Sequence, residues 1–500
     1  MEFSKKFFFI LSDTNGSREK NILSSYIYLL LKNNFFFPKF FILSPFNYTN
    51  SDKNIFFTLD RVKLNNEYSY FEKITNEYLC NDNFFILESY YLKYVKSNNE
   101  TNFYNSSLHK FIEYLLKKEI QENKTNDSFI FEFFNFNSFI DIIPFIELIK
   151  KMKIISPKNI FIFYFSLVPY LSSLKEFKLK PVYNSIKELS NFFLTPDLFF
   201  LNSRYKINNE LLKNISFFTT LNQKYIINFC EFNNIYEFYF FLIDNILIKK
   251  FFKKLNIVNK EKNNLKYFSK KNKTEVFLCY LCYKKNNLIN YNNILDSIFF
   301  SSINLNIDIK ISIISLEKLE NFNVLLSFDG IILSEEIEKK KIILALKTIK
   351  FIKHNNIPFL GVDYGFYVSV LEAINIILKK EEFLLFFSIF KKKRFLGSHS
   401  IVLLNKNSFK NIYFYNEVNF EKYFYIYFIE KKYYRLLVYD FCFLKSFFFK
   451  NSILNEIFYL KNDFFLILQH HPESNSFLFK PNRIFVEFLS FIVNKKEIKK

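Results

Sequence analysis

The sequence predicts an α/β fold with mainly parallel sheets, and three observations carry that expectation. Short apolar runs alternate with longer amphipathic stretches, the pattern of strands covered on both faces by helices. Half of the 500 residues are apolar, enough for packed cores in two or three domains of ordinary size. No stretch of about 18 residues lacks charge, so the runs are not membrane spans; even Phe129–Ile149 contains Glu132, Asp141 and Glu147.

Taken in order, Phe7–Leu11 reads as a buried strand, followed by the turn Ser12–Ser17 and a helix from Arg18 to about Lys32. Further strands are expected at Phe129–Phe133, Asn159–Tyr164, Leu198–Leu201, Val276–Tyr280, Gly330–Leu333, Phe359–Val362 and Phe465–Gln469. Helices are expected at Ser107–Lys118, Val182–Phe193, Lys341–Lys353 and Phe366–Leu378. A Lys/Asn-rich stretch without sustained apolar periodicity, 251–273, reads as a linker between a first domain (1–250) and a second (274–500).

Composition narrows the function classes. Phe occurs 73 times and Tyr 33 times, whereas Gly occurs 5 times and Trp never. A chain of this length at ordinary usage would hold roughly 35 glycines. The residues in excess have A/T-rich codons, so the bias reads as genomic, and each surviving Gly, Pro, His or Arg gains meaning. The formal charge of +21 comes from Lys scattered among Asn, with no Arg cluster; it fails the basic-patch criterion for a nucleic-acid binder. Five unpatterned cysteines make no disulfide framework. Cys279 and Cys282, inside the apolar run Val276–Tyr283, suit a buried strand better than a metal site. The apolar run near the N-terminus is too short for a signal sequence, and a cytoplasmic chain is expected.

Three segments could carry chemistry. Gln469-His470-His471-Pro472-Glu473 follows a strand, so Glu473 could orient the imidazole of His471 as a general base; a surface His pair beside a Pro turn would also account for it. Ile357-Pro358-Phe359-Leu360-Gly361-Val362-Asp363-Tyr364-Gly365 reads as strand, glycine-flanked turn and helix, a nucleophile-elbow pattern with Asp363 at its apex. Ser166–Tyr170, then Lys178-Leu179-Lys180-Pro181 before a helix, suits phosphate, because ammonium groups and a helix N-terminus both favour anions. An ordinary Lys-rich loop is the alternative there.

These three segments, in this order, resemble the CTP synthase family, two-domain enzymes that aminate UTP. SLVPYLSSLKEFKLKPVYNSIKELSNFFLTPDLFF is similar to the family's uridine-nucleotide region, and IPFLGVDYG and LQHHPES resemble the catalytic stretches of its glutaminase domain. The resemblance implies a P-loop/Rossmann-like amidoligase domain followed by a flavodoxin-like class I glutamine amidotransferase domain. It implies ATP binding at Ser17, Lys20, Asn21, Lys39 and Glu67, and UTP binding at Gly16, Asp141, Lys178, Lys180, Tyr183 and Lys213. Magnesium falls to Glu67 and Glu132, and the glutaminase catalytic positions to 363, His471 and Glu473.

The departures are specific. Glu19 and Asn21 replace glycines of the phosphate loop, and a non-Gly residue in a left-handed conformation costs roughly 1–2 kcal/mol. Phe133-Phe134 stands for a Gly-Gly pair, Tyr183 for a Gln, Ser334-Glu335-Glu336 for oxyanion-hole glycines, and Tyr415 for an Arg. Above all, Asp363 occupies the place of the nucleophilic Cys. Losing the nucleophile of such a unit costs on the order of 10⁶ in kcat. The expectation is ATP- and Mg²⁺-dependent conversion of UTP to CTP with impaired glutamine hydrolysis, GTP as a possible effector, and a homotetrameric assembly. A decayed nucleotide-binding pseudoenzyme that acts through partners is the alternative.

Overall fold

The computed structural model describes residues 5–13, 19–44, 55–57, 63–65, 68–86, 125–133, 142–232, 234–258, 274–282, 291–319, 321–334, 342–378 and 464–499, and separate strands between 390 and 460. The chain divides into two compact units, residues 1–52 with 64–264, and residues 53–63 with 265–500.

The first unit is built on a seven-stranded, wholly parallel sheet. Its strands are β1 (Lys6–Ser12), β2 (Pro38–Ser44), β3 (Phe84–Ile86), β4 (Ser128–Phe133), β5 (Ile160–Val168), β6 (Leu198–Ser203) and β7 (Ile226–Cys230), in spatial order β7-β6-β5-β1-β4-β2-β3. Helices α1 (Glu19–Asn33), α2 (Ser69–Thr75), α3 (Ile143–Ile155), α4 (Lys180–Asn191), α5 (Asn209–Thr219), α6 (Tyr236–Asp244) and α7 (Ile246–Lys254) belong to the same unit. Strands buried on both faces need no polar alternation, so they tolerate near-continuous apolar sequence, and part of the chain's surplus of Phe goes there. Phe7 stacks on Phe129 at 5.5 Å, Phe9 on Phe131 at 5.2 Å, and Phe41 on Phe131 at 5.4 Å. Such ring pairs add roughly 0.5–1.5 kcal/mol beyond their area burial.

Chain order and spatial order together locate the crevice. From β1 the chain runs out to β2 and β3, returns through β4 beside β1, and then builds β5, β6 and β7 on the other side. Connections therefore diverge between β1 and β5, and ligands of open parallel sheets bind outside the strand C-termini at such a point.

The second unit has its own seven-stranded sheet. Strands β8 (Glu275–Cys282), β9 (Asp308–Ser315), β10 (Gly330–Leu333), β11 (Phe359–Val362), β12 (Phe443–Leu444), β13 (Ile457–Leu460) and β14 (Phe465–Leu468) lie in the order β9-β8-β10-β11-β14-β13-β12. The first five are parallel and the last two are antiparallel additions. Helices α8 (Tyr291–Leu305), α9 (Ile342–His354), α10 (Tyr364–Leu378) and α11 (Arg483–Lys499) complete it. The expected α/β architecture with parallel sheets is present in both units.

Three expectations need comment. The stretch read as a linker includes the last residues of α7, and among them Phe252 is buried against Phe8 and Phe163. Its lysines concealed an apolar face made by Ile248 and Phe252, four residues apart. Cys279 and Cys282 lie on β8 as expected and face opposite sides of the sheet, because Cys279 joins one core cluster and Cys282 the other. The helix expected at Ser107–Lys118 lies outside the described residues.

Candidate functional site

In the first unit, polar side chains gather at the C-terminal ends of β1, β4 and β5. Lys20, in the first turn of α1, is 2% exposed. Its Nζ donates to Ser12 Oγ at 3.0 Å and to the Phe133 carbonyl at 2.6 Å, which ties α1 to the ends of β1 and β4. One turn further along α1, Ser24 donates to Glu132 Oε2, and the Glu132 carboxylate is buried at the end of β4. The N-terminus of α1 follows β1 here and supplies the positive end of a helix dipole, which favours an anion.

Across the crevice, Asp13 follows β1 and its Oδ2 accepts from Ser166 Oγ at 2.9 Å and from the Leu167 N–H at 3.1 Å. Beyond β5 the chain turns back on itself. Tyr170–Leu171 pairs with Glu176–Phe177, and the Lys178 N–H donates to the Pro169 carbonyl at 2.8 Å. Helix α4 begins at Lys180, with Pro181 in its first turn. Tyr183 of α4 packs its ring at 4.8 Å on Phe218 of α5, the helix that carries Lys213. Lys178, Lys180 and Lys213 are exposed; Lys178 Nζ is 3.8 Å from Glu176 Oε2, a loose surface pair. Burial holds the Tyr183 hydroxyl above the usual tyrosine range.

The sequence-expected residues thus separate into groups. Lys20 and Glu132 share Ser24 and the β1–β4 edge, with Asn21 buried beside them. Lys178, Lys180, Tyr183 and Lys213 lie on the segment after β5 and on the two helices α4 and α5. Lys39 does not join either group. It is the second residue of β2 and pairs in register with Phe129, whereas Glu132 pairs with Ile42. Three residues of strand separate the two levels by about 10 Å. Lys39 therefore sits towards the opposite end of the strand, its Nζ 5.0 Å from the Phe41 ring centroid. This corrects its expected place at ATP. Gly16, Ser17, Glu67 and Asp141 lie outside the described residues.

Glu132 suits magnesium in donor type. A hard cation takes carboxylate oxygen, and magnesium is commonly held by one or two carboxylates together with substrate phosphates. Among the described residues no group of three or more His, Cys, Asp or Glu side chains could hold a metal unaided.

In the second unit, the strand–turn–helix at 359–378 is an elbow. Asp363 has φ of 49°, the left-handed region that a non-glycine residue rarely adopts. Its N–H donates to the Leu468 carbonyl at 2.9 Å, and its carbonyl accepts from the Phe366 N–H at 3.0 Å. Gly365 permits the close approach of α10 to β10, since a Cβ there would lie 2.3 Å from the Leu333 carbonyl oxygen. Val362 pairs with Leu468, so the segment after β14 emerges beside the elbow. The short turn Pro472–Asn475 then folds Glu473 back onto His471. His471 Nδ1 is 2.8 Å from Glu473 Oε1, and its Nε2 is 3.9 Å from Asp363 Oδ2. All three carboxylate and imidazole groups are buried or nearly so, Asp363 being the most exposed at 13%. Gln469, beside them, donates to the Tyr367 hydroxyl at 3.0 Å.

This assembly has an oriented imidazole and an elbow without a thiol or hydroxyl. A carboxylate has no proton for His471 to remove, and its attack on an amide would yield an anhydride, a poorer acyl group to form than a thioester. Ser334, at the end of β10, is buried and shares a 2.6 Å hydrogen bond with the Tyr280 hydroxyl. Residues to which sequence reasoning gave no role include Ser12, Asp13, Ser24 and Ser185, whereas Ser166 opens a segment already singled out. Only Ser24 carried a local signal, four residues beyond Lys20 on one helix face.

Comparison with known proteins adds to this geometry. Residues 48–257 match the family model described as CTP synthase N-terminus. The CTP synthase of Sulfolobus acidocaldarius is 28% identical over 384 residues, covering 70% of this chain and 71% of that protein. The CTP synthase of Phytoplasma australiense is 25% identical over an alignment that spans 100% of this chain and 98% of that protein. Among solved structures, the glutaminase domain of Trypanosoma brucei CTPS with bound acivicin aligns with 44% of this chain and 94% of that one, at 19% identity and a TM-score of 0.37.

Proposed function

The chain is a divergent member of the CTP synthase family, and from that premise we propose that it aminates UTP to CTP with ATP and free ammonia, without hydrolysing glutamine. The γ-phosphoryl group of ATP passes to the uracil 4-oxygen, and ammonia then displaces it as phosphate. Such transfer depends on positioning and charge neutralisation. Lys20 contributes a point charge at the C-terminal end of β1, beside the α1 N-terminus. Glu132, oriented by Ser24, is the carboxylate that would hold magnesium, which neutralises phosphate charge when bound. Lys178, Lys180 and Lys213 are offered to the uridine triphosphate, and Tyr183, beside Phe218, to its base or ribose.

The observation that carries the ammonia dependence is Asp363 on the elbow, 3.9 Å from His471. The array of His471 and Glu473 keeps a glutaminase scaffold whose nucleophile is gone. On this reading GTP, as an activator of glutamine use, has no step left to accelerate, and the working form is a cytoplasmic tetramer. The test compares CTP formation from UTP, ATP and magnesium with ammonium or with glutamine as nitrogen source. Product with ammonium alone supports the proposal; equal rates with glutamine overturn the ammonia dependence, and no product with either overturns the synthase reading.

A second reading has one specific observation in its favour. Lys20 is turned inward onto Ser12 and Phe133 rather than outward. A protein that binds nucleotide without turning it over, and acts through assembly, would show UTP binding with no CTP in the same experiment.

A further inference from the structure

We propose that Asp13 is a positioning residue which fixes the spacing across the crevice between β1 and β5 and thereby sets the affinity for the uridine nucleotide. The inference rests on the synthase reading above for the identity of the nucleotide, and on the following geometry for the rest.

Asp13 stands one residue past β1, and its N–H still donates to the Phe165 carbonyl at 3.0 Å, so the backbone there remains bound to β5. The side chain reaches further along the same strand. One oxygen, Oδ2, takes both the Ser166 hydroxyl and the Leu167 N–H. Ser166 Oγ lies 3.4 Å from Ser185 Oγ, and Ser185 sits in the second turn of α4. A chain of polar contacts therefore runs from the end of β1, through the end of β5, to the helix that begins at Lys180. Asp13, Ser166 and Ser185 are all buried.

A buried carboxylate persists where hydrogen bonds hold its charge. The charge of Asp13 is felt locally: burial first, and Asp13 next, keep the Glu188 carboxyl above its ordinary range. Tyr164 is shifted upward by the same two causes. The bond spans the point where chain connections diverge, so it joins the halves of the sheet that carry different binding segments. Lys20 and Glu132 lie on one side, and the segment from Ser166 to Tyr183 on the other. Without the bond, the end of β5 would keep its backbone pairing with β1 but lose the side-chain tie at Ser166 and Leu167.

The experiment uses the full chain with D13A, D13N and S166A, titrated by calorimetry with UTP and separately with ATP, alongside KM for UTP in the ammonium-driven reaction. Loss of a charged hydrogen bond translates to about tenfold or more, so D13A should weaken UTP by at least that while ATP moves less than about twofold. D13N should stay within about threefold of the parent, because its Oδ1 can accept both bonds, and S166A should fall between. A lowered Tm with unchanged UTP affinity in D13A overturns the proposal, since that is the mark of a purely structural cap. D13N as weak as D13A also overturns it. If the parent binds UTP but makes no CTP, the synthase reading fails while calorimetry still decides the role of Asp13; if the parent binds no UTP, both fall.

Discussion

Nε2 of His471 faces Oδ2 of Asp363 at 3.9 Å while its Nδ1 rests 2.8 Å from Glu473 Oε1, so a single buried imidazole is flanked by two carboxylates. Glu473 fixes the orientation of the ring, and Asp363 stands where a nucleophile would face it. The elbow geometry nevertheless persists around them.

Restoring the thiol tests that geometry directly. D363C should be alkylated by iodoacetamide at residue 363, identified by peptide mass mapping, faster than the buried Cys279. Adding H471A should slow the reaction by about tenfold, because the thiolate loses its neighbouring imidazole. Equal rates with and without His471 would mean that the elbow no longer aims its side chain at the imidazole.

Lys20 bridges β1 and β4 as well as offering a charge. K20M keeps a flexible stem of similar length. Ammonium-driven CTP formation should fall by about 10²–10³-fold, the cost of losing one preorganised charge stabiliser, with circular dichroism unchanged. S24A should lose less, since Glu132 keeps its carboxylate.

The tight contact at Gly365 makes a stability prediction. A methyl group there meets backbone, the Leu333 carbonyl, which cannot rotate away. G365A should destabilise the chain by about 1–3 kcal/mol through overpacking, read as a lowered urea midpoint.

Cys279 supplies a pH dependence. Burial, and then the neighbouring Cys282, push its thiol from 9 up to about 12. The folded form therefore keeps its proton where the unfolded form has lost it, and stability declines as pH rises from 9 towards 12. Each unit in that window costs about 1.4 kcal/mol. Between pH 8 and pH 10.5, the parent should lose about 2 kcal/mol more than C279V in urea titrations. An identical loss in both proteins would remove Cys279 from the account.

The strands were the most legible part of the chain. Gly330–Leu333 and Phe359–Val362 have the limits that their apolar runs imply, because flanking turns interrupt the apolar pattern on both sides. The His471–Glu473 contact was also readable, being local. Lysine-rich helices were harder: the charges of α7 hid the face made by Ile248 and Phe252. Lys39 shows a different failure, since only strand register reveals which end of the sheet a residue occupies. The ties Asp13–Ser166 and Ser24–Glu132 join residues 153 and 108 positions apart, and no spacing rule reaches that far.

The stacked rings of the first sheet have an evolutionary consequence. Phe7, Phe9, Phe41, Phe129 and Phe131 build its interior from the very side chain that an A/T-driven genome supplies most freely. An interior absorbs such a surplus, because a core accepts a bulky ring in place of an aliphatic side chain when volume and patterning are kept. On the reading proposed above, a reactive position such as 363 would register that pressure before the stacked rings did.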